Sequence, residues 1–355
     1  ENTITSTIES LQDLDYPQDK LDIIIVDDGS TDKTLSLAKK FDQELNIKVL
    51  TKPNGGKFTA LNMGIEHSTT EFVGGLDADS FVDPSALKEL VAHFDDPMTM
   101  AVTPAIKVHK TTNTLQYIQK AEYGLSIFYR AMFGLMGALF ITPGPFSIYR
   151  KGVFDRIGMF RHAHNTEDME MAMRMQRHHM KIENVHAAHV YTVVPCTLRA
   201  LIKQRVRWVQ GFLQNCIDYR DLIGKSKYGN LGLFILPISI FSIFGAIIFM
   251  GLTLSIFARQ IIDKIIEIQA IGFYNTFVHA PKFDWFFYNT NTNSFLITFL
   301  FAITISLIFI GKRLARESIT FRDIIVYLLF YSFLAPLWLT KAVYNTIFAK
   351  NVNWK

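Results

Sequence analysis

Two aspartates one residue apart, Asp77 and Asp79, follow a short apolar run that we interpret as a β-strand from Glu71 to Leu76. Where a strand passes into a loop, carboxylates at this spacing can converge on one cation. Proteins usually hold Mg²⁺ with one or two carboxylates, and substrate phosphates complete its coordination. An Asp-x-Asp sequence in a loop is more often turn chemistry, so the pair alone does not assign a metal site.

A second acidic corner, Asp27 and Asp28, ends a predicted strand from Leu21 to Val26 and precedes Gly29 and the start of a helix. Such a corner offers carboxylates to a ribose or a base and backbone N–H groups to an anion. An ordinary Asp-Gly turn with a capping serine is the alternative, and it is favoured in isolation. The loop Asn54-Gly55-Gly56-Lys57 either delivers the Lys57 ammonium to a phosphate or simply precedes a helix.

Asp168 lies in the first turn of a predicted helix that opens with Thr166 and Glu167. The helix dipole favours an ionised carboxylate at this position, and partial burial would raise its pKa towards the range of a general base. Acidic capping of the helix is the alternative, and it accounts well for Glu167.

Gln204, Arg207 and Trp208 fall at positions i, i+3 and i+4 of another predicted helix, so they share one face. A guanidinium binds phosphates through paired hydrogen bonds, and an indole stacks on the apolar face of a sugar ring. The alternative is an amphipathic helix at a membrane surface, with a snorkelling arginine and an anchoring tryptophan.

The remaining metal-binding and charged residues favour neither a zinc site nor nucleic acid. The histidines between positions 162 and 189 lack cysteine partners at zinc-finger spacing and a His-Glu-x-x-His helix. Cys196 and Cys216 precede the first predicted membrane span, on the side expected to be reducing, which argues against a disulfide. The net charge of +4 is small, and contact with anionic lipid accounts for basic residues beside apolar spans.

Short β-branched runs alternate with helical patterns over residues 1–110, which predicts βαβ units and an α/β fold with a mainly parallel sheet. The predicted strands cover residues 21–26, 47–51, 71–76, 146–149 and 182–194. The predicted helices end near residue 41 or cover residues 57–67, 84–94, 166–180 and 197–216. The acidic residues therefore follow strand ends, and the carboxyl edge of an open α/β sheet is where ligands bind.

Hydrophobic residues make up 49% of the chain, and three apolar stretches at residues 231–257, 294–310 and 324–345 are long enough to cross a bilayer. Buried core helices are the alternative, chiefly for the two shorter stretches. Basic residues cluster before the first stretch and between the second and third. By the positive-inside rule both clusters are cytoplasmic, so residues 258–293 should face outward or lie along the interface, with aromatic residues 284–288 at the headgroups.

An unusually apolar helical pattern runs from Asn113 to Phe140 and ends at Pro143-Gly144-Pro145. We expect helices that lie on the membrane surface or pack under the spans.

Five motifs in this order resemble the membrane-embedded, inverting family 2 glycosyltransferases. They are Ile25-Val26-Asp27-Asp28-Gly29-Ser30, Gly56-Lys57, Asp77-Ala78-Asp79, Thr166-Glu167-Asp168 and Gln204-Arg205-Val206-Arg207-Trp208. That family includes cellulose, chitin, hyaluronan and poly-β-1,6-N-acetylglucosamine synthases. The stretch from Val193 to Gly211 looks most like the last of these.

The resemblance implies a GT-A fold, a UDP-sugar donor, Mg²⁺ or Mn²⁺ as cofactor, and a glycan or lipid acceptor. By the same likeness, Asp27 and Asp28 contact uridine, Lys57 lies near the nucleotide, and Asp77 and Asp79 hold the metal and the diphosphate. Asp168 is then the catalytic base and Arg207 binds the diphosphate. The resemblance also places Trp208, Gln204, Glu167 and Gly144 at the acceptor.

The expected organisation is a catalytic domain over residues 1–225 and a membrane region over residues 226–355, in an integral protein of the cell membrane whose catalytic domain is cytoplasmic. The family usually begins with a further strand and further membrane helices, and we expect these to be missing from this chain. Polymer synthesis is the first hypothesis. Transfer of one sugar to a lipid and an inactive membrane scaffold are the alternatives, and no accessory subunit is identified by the sequence.

Overall fold

The structure is a computed structural model that describes residues 1–42, 46–273, 292–314 and 316–348. The described residues form seven strands: β1 Ile23–Asp27, β2 Ile47–Thr51, β3 Phe72–Gly75, β4 Ser80–Val82, β5 Thr99–Val108, β6 Ser147–Arg150 and β7 Lys181–Thr192. The helices among and after them are α1 Ile4–Gln12, α2 Thr34–Ala38, α3 Lys57–His67, α4 Ala86–Val91, α5 Thr114–Leu135, α6 Gly152–Ile157, α7 Glu167–Arg177 and α8 Leu198–Asp218. The α/β class is therefore confirmed.

The strands form two sheets, and the prediction of a mainly parallel sheet is wrong. Strands β1 and β2 pair in parallel, whereas the five-stranded sheet has the order β3-β6-β5-β7-β4 and only β5 and β7 run parallel in it. When strands and helices alternate along the chain, consecutive strands are expected to be neighbours in the sheet. Here β6 inserts between β3 and β5, antiparallel to both, and local sequence patterns carry no signal for such a distant insertion.

The long strand β5 was missed by the sequence analysis, as were α1 and β4. All but one of the residues of β5 are buried, but Pro104 and Lys107 interrupt its apolar run. Pro104 lies at the point where the pairing register with β7 shifts. Proline is tolerated inside a sheet at such irregularities, because the missing N–H need not join the ladder there.

Successive residues of the five-stranded sheet face opposite cores. Ala101 and Tyr149 pack with α3, α6 and α7 on one side. Val102 and Ile148 pack with α1 and α4 on the other. The sheet is thus covered on both faces, and its loops at one edge carry the candidate site.

The apolar pattern after Asn113 forms one helix, α5, whose first turn is capped by the Asn113 side chain. Its residues Ile118 and Ala121 pack against two long apolar helices, Thr292–Leu314 and Phe321–Ile347. A Cβ on Gly311 would overlap the carbonyl oxygen of Gly124 in α5, so the two backbones cross in close contact. The helix therefore packs under the apolar helices, as one of the two expectations had it.

Three described helices have the length and composition to cross a membrane: Leu231–Ile271, Phe295–Leu314 and Phe321–Ile347. Regular α-helix covers Leu236–Ile271 (α9), Thr292–Leu314 (α10) and Phe321–Ile347 (α11). The first helix continues past residue 257 through Asp263, Lys264 and Glu267, farther than predicted. The predicted aromatic belt at residues 284–288 lies outside the described residues.

Candidate active site

The first acidic corner forms where β1 ends. Asp27 is 6% exposed, and its Oδ2 accepts a hydrogen bond from the Ser30 N–H at 3.2 Å. Its Oδ1 is buried and has no hydrogen-bond partner among the described residues. A buried carboxylate oxygen without a hydrogen-bond donor is unfavourable. Asp27 Oδ1 can therefore accept a hydrogen bond from a ligand.

Asp28 organises the glycine loop instead of pointing away from it. It accepts hydrogen bonds from Lys52 Nζ at 2.6 Å and from the N–H groups of Gly55 and Gly56 at 2.9 and 2.8 Å. Burial opposes ionisation, but these donors outweigh it and lower the pKa of Asp28. The loop needs glycine at position 56, where φ is +91°. Lys52 was not predicted.

Lys57, the first residue of α3, lies between two carboxylates from distant parts of the chain. Its Nζ forms an ion pair with Asp77 and lies 3.3 Å from Glu167 Oε1. A Cβ on Gly144 would come 2.5 Å from this Nζ and 3.1 Å from Asp77 Oδ2, so a larger residue at 144 would displace the pair. Burial opposes the charge of Lys57, yet Asp77, Glu167 and Asp168 outweigh burial and raise its pKa.

Asp79 follows in the same loop, and its Oδ1 accepts a hydrogen bond from Ser80 Oγ at 3.3 Å. Its outer side is exposed, but surrounding protein atoms desolvate the carboxylate and, together with Asp77, raise its pKa. Burial and the nearby Asp77 carboxylate thus both disfavour the ionised form of Asp79.

Asp168 sits in the first turn of α7, where the Met169 N–H donates to its Oδ1 at 2.8 Å. Thr142 holds the backbone at this point, because its Oγ1 donates to the Asp168 carbonyl at 2.8 Å. Burial and the neighbouring Glu167 carboxylate raise the pKa of Asp168 to about 6, against the opposing effect of Lys57. That value suits a base which accepts a proton near neutral pH.

Helix α8 packs directly on the start of α7. Asn215 Nδ2 donates to Thr166 Oγ1 at 2.8 Å, and a Cβ on Gly211 would overlap the Thr166 side chain. Glycine at 211 therefore allows α8 to approach the Thr166-Glu167-Asp168 segment. The same helix carries Arg207, whose charge is favoured by the carboxylates of Asp168, Glu167, Asp77 and Asp79, although burial lowers its pKa.

Gln204 and Trp208 converge on Arg205, a residue to which the sequence analysis gave no role. Arg205 Nη1 donates to Gln204 Oε1 at 2.6 Å, and its Cζ lies 4.3 Å from the centroid of the Trp208 ring. The structure thus places the positive charges of Lys57 and Arg207 near the carboxylates of Asp77 and Glu167. Gly144 lies beside Lys57 and Asp77. Asp27 and Asp28 form a second corner around Lys52 and the glycine loop.

The carboxylates of Asp77 and Asp79 can hold a divalent cation only if a substrate supplies further ligands to the same ion. The described residues contain no group of three or more His, Cys, Asp or Glu side chains able to hold a metal by themselves. Asp77 and Asp79 supply hard oxygen ligands, and the raised pKa of Asp79 indicates that a cation would relieve their repulsion. Two carboxylates completed by phosphate oxygens suit Mg²⁺ or Mn²⁺.

Comparison with known proteins identifies one family in the first part of the chain. Residues 1–158 match the family model described as glycosyl transferase family 2. The match shows a family 2 glycosyltransferase domain in this chain. The enzyme class predicted from the five motifs is thereby confirmed.

The glycosyltransferase is similar to two poly-beta-1,6-N-acetyl-D-glucosamine synthases. It is 32% identical over 257 residues to that of Staphylococcus aureus (strain MSSA476), which covers 70% of this chain and 61% of the relative. It is 31% identical over 237 residues to one of Staphylococcus epidermidis, which covers 66% of this chain and 57% of the relative. The predicted likeness to these synthases is confirmed, and the chain spans only about three fifths of their length.

Among solved structures, a mannosyltransferase from Pyrobaculum calidifontis in complex with GDP-Man and Mn²⁺ matches 98% of this chain and 84% of its own, with a TM-score of 0.64. The two share 18% identity, so the likeness concerns the fold alone. The GT-A fold of the glycosyltransferase, with apolar helices after it, is confirmed.

Proposed function

We propose that this glycosyltransferase transfers N-acetylglucosamine from a UDP-sugar to the growing end of a β-linked polysaccharide, with inversion at the sugar. The observation that carries the proposal is the convergence of Asp77, Glu167 and Asp168 on Lys57, with Arg207 beside the same carboxylates. Donor identity rests on the likeness to the named synthases.

The two groups of residues bind different parts of the UDP-sugar donor. Asp27, with one unpartnered buried oxygen, and Asp28 bind the uridine, and Lys57 and Arg207 bind phosphate. Arg207 favours the leaving group because its fixed positive charge lies where negative charge develops as the diphosphate departs. Asp77 and Asp79 would hold the divalent cation, which, when bound, supplies further charge stabilisation to the diphosphate.

Asp168 acts as the base in a single displacement. The acceptor hydroxyl oxygen attacks the donor's anomeric carbon, its proton passes to Asp168, and the bond from that carbon to the phosphate oxygen breaks with its electron pair leaving on UDP. A carboxylate of pKa about 6 is ionised at neutral pH and still basic enough to take the proton. Single displacement needs no second nucleophilic carboxylate and inverts the configuration.

The acceptor side is formed by Trp208, Gln204, Glu167 and Gly144. An indole face binds the apolar face of a sugar, while Gly144 leaves room for the Lys57–Asp77 pair. We propose residues 1–225 as the catalytic domain and residues 226–355 as the membrane region. Basic residues flanking the apolar helices favour a cytoplasmic catalytic domain at the cell membrane.

The test uses membranes that contain the full-length protein, incubated with each radiolabelled UDP-sugar and Mg²⁺ or Mn²⁺, and resolves labelled products by size. Long, glycosidase-sensitive polymer from UDP-N-acetylglucosamine is expected. Asp168→Asn, which keeps the shape of the side chain but not the base, should reduce incorporation by about 10² to 10⁴. Asp155→Asn, at an exposed position of α6, is the matched control and should retain full incorporation.

Other products would overturn parts of the proposal. A single labelled sugar that extracts with lipid would establish the monotransferase. Polymer from a different donor would overturn the choice of N-acetylglucosamine, and no incorporation from any donor would overturn the proposed reaction.

A further inference from the structure

Arg205 contacts both Trp208 and Gln204 of the proposed acceptor site, yet it has no part in the proposed reaction. It is 3% exposed, and its guanidinium packs on Trp208 while Nη1 bonds Gln204. One guanidinium therefore contacts both side chains.

The guanidinium is itself held by Glu122 of α5. Arg205 Nε and Nη2 donate to Glu122 Oε1 and Oε2 at 3.1 and 2.7 Å, a two-bond pairing that fixes the plane of the group. Burial opposes the charge of Arg205, but Glu122 outweighs burial and raises its pKa, so the pair remains ionic. Such buried pairs contribute little net stability and are better explained by the geometry they impose.

The third apolar helix completes the network. Tyr331 of α11 donates its hydroxyl to Glu122 Oε1 at 2.9 Å, and its ring lies 5.2 Å from that of Trp338 on the same helix. Three helices that are far apart in the sequence, α5, α8 and α11, thus meet at one carboxylate.

We propose that Arg205, Glu122 and Tyr331 are positioning residues that set Trp208 and Gln204 for the acceptor and thereby couple acceptor binding to the placement of α11. The inference rests on the proposed function, because it takes Trp208 and Gln204 as acceptor contacts. The proposed uridine corner around Asp28 and Lys52 makes none of these contacts, so the uridine contacts should be unaffected.

The test compares Glu122→Gln, Tyr331→Phe and Arg205→Lys in the full-length protein. KM for an added oligosaccharide acceptor should rise about tenfold in Glu122→Gln and Arg205→Lys and less in Tyr331→Phe, because small displacements of binding groups are costly. KM for the UDP-sugar should stay within about twofold of wild type. The double variant Glu122→Gln/Arg205→Lys should be no worse than either single change, because both remove the same contact.

Tyr327→Phe is the matched control, since Tyr327 lies one turn earlier on α11 and packs against the Tyr331 ring at 4.7 Å. It should leave both KM values unchanged. Equal changes in donor and acceptor KM, or an unchanged acceptor KM in all three variants, would overturn the proposal.

A second readout does not depend on activity. With Trp285, Trp338 and Trp354 replaced by phenylalanine, Trp208 is the sole tryptophan of the chain. Its emission maximum should shift in Glu122→Gln and Tyr331→Phe but not in Tyr327→Phe. A wild-type protein that transfers no sugar would overturn the proposed function, whereas an unshifted Trp208 emission would overturn the positioning network alone.

Discussion

At Asp168, burial and the Glu167 carboxylate act in the same direction, and both favour the protonated acid. Lys57 opposes them, so the pKa settles at about 6 instead of rising farther. The proposed base is therefore tuned by two charged residues, Glu167 beside it in the chain and Lys57 far from it in the sequence. The pKa of Asp168 thus depends on burial and on the opposing charges of Glu167 and Lys57.

The rate of transfer should follow the ionised fraction of Asp168. With saturating donor, we expect a plateau above about pH 7 and a fall of nearly tenfold per unit below about pH 6, because the protonated acid cannot accept a proton. A rate that stays constant from pH 7.5 to pH 5 would contradict the assignment of the base.

Unfolding is not expected to account for that fall. Because the folded pKa of Asp168 is raised from 3.8, the folded state binds the proton more tightly, and this residue's contribution to stability falls as pH rises from 3.8 to about 6. Acidification through this window therefore does not destabilise the protein at Asp168. Melting temperatures measured at each pH provide the control.

The metal requirement should depend on Asp79. Chelation should abolish transfer, and Asp79→Asn should raise the Mg²⁺ or Mn²⁺ concentration for half-maximal rate by about tenfold or more, because one of two hard ligands loses its charge. The measurement is the rate against free metal concentration, with Asp155→Asn as control. Identical metal curves for Asp79→Asn and wild type would exclude Asp79 as a ligand.

At the scale of elements, the site depends on how closely α8 approaches α7. Glycine at 211 and the bond from Asn215 to Thr166 bring the two helices together just before Asp168. Farther along α7, Arg174 donates to the carbonyls of Ile157 and Met159 at 2.8 and 2.9 Å and pairs with Glu170 at 2.9 Å. The loop before α7 is therefore fixed from both sides.

Gly211→Ala should disturb this contact, because the added methyl group would overlap Thr166. We expect destabilisation of about 1–3 kcal/mol, the usual cost of overpacking, together with a lower rate as Asp168 is displaced. Melting temperature and transfer rate are the measurements. Gly152→Ala, in α6 where the added Cβ meets no atom within 4 Å apart from its chain neighbours and its own helix backbone, should lower neither. Equal melting temperatures for the two variants would show that the close approach of α8 is not required.

At the scale of the whole molecule, an α/β catalytic part rests on α5, which in turn packs against α10 and α11. Large apolar side chains along α9 and α10 remain exposed, including Phe241, Phe249, Phe295 and Phe299. Such a surface is unfavourable in water and favourable in lipid. Membrane association is thus consistent with the molecule's own surface.

The two native cysteines test the proposed orientation. Cys196 is exposed just before α8 and Cys216 is buried. A membrane-impermeant maleimide should label Cys196 only after the cells are permeabilised, and Cys196→Ser should abolish that labelling. Asp263→Cys, near the far end of α9, should be labelled in intact cells. Labelling of Cys196 in intact cells would place the catalytic part on the outer side.

The sequence by itself determined the features that depend on local patterns. Lys57–His67 and Ile47–Thr51 were predicted with the boundaries that the structure has, and the apolar lengths of the three long helices were evident from residue type. Asp77, Asp79 and Asp168 were singled out as candidates by their positions at a strand end and a helix start, and the family resemblance supplied their expected roles. The assignment of the family followed from the order of these motifs.

Tertiary structure alone decided how these pieces meet. The insertion of β6 beside β3 and the pairing of β5 with β7 join segments about 80 residues apart, for which neither periodicity nor turn residues carry a signal. Glu122 bonds Arg205 across 83 positions and Tyr331 across 209. Each of these side chains looks unremarkable in its own helix, because hydrogen bonds and charges act over a few ångströms of space whatever the distance along the chain.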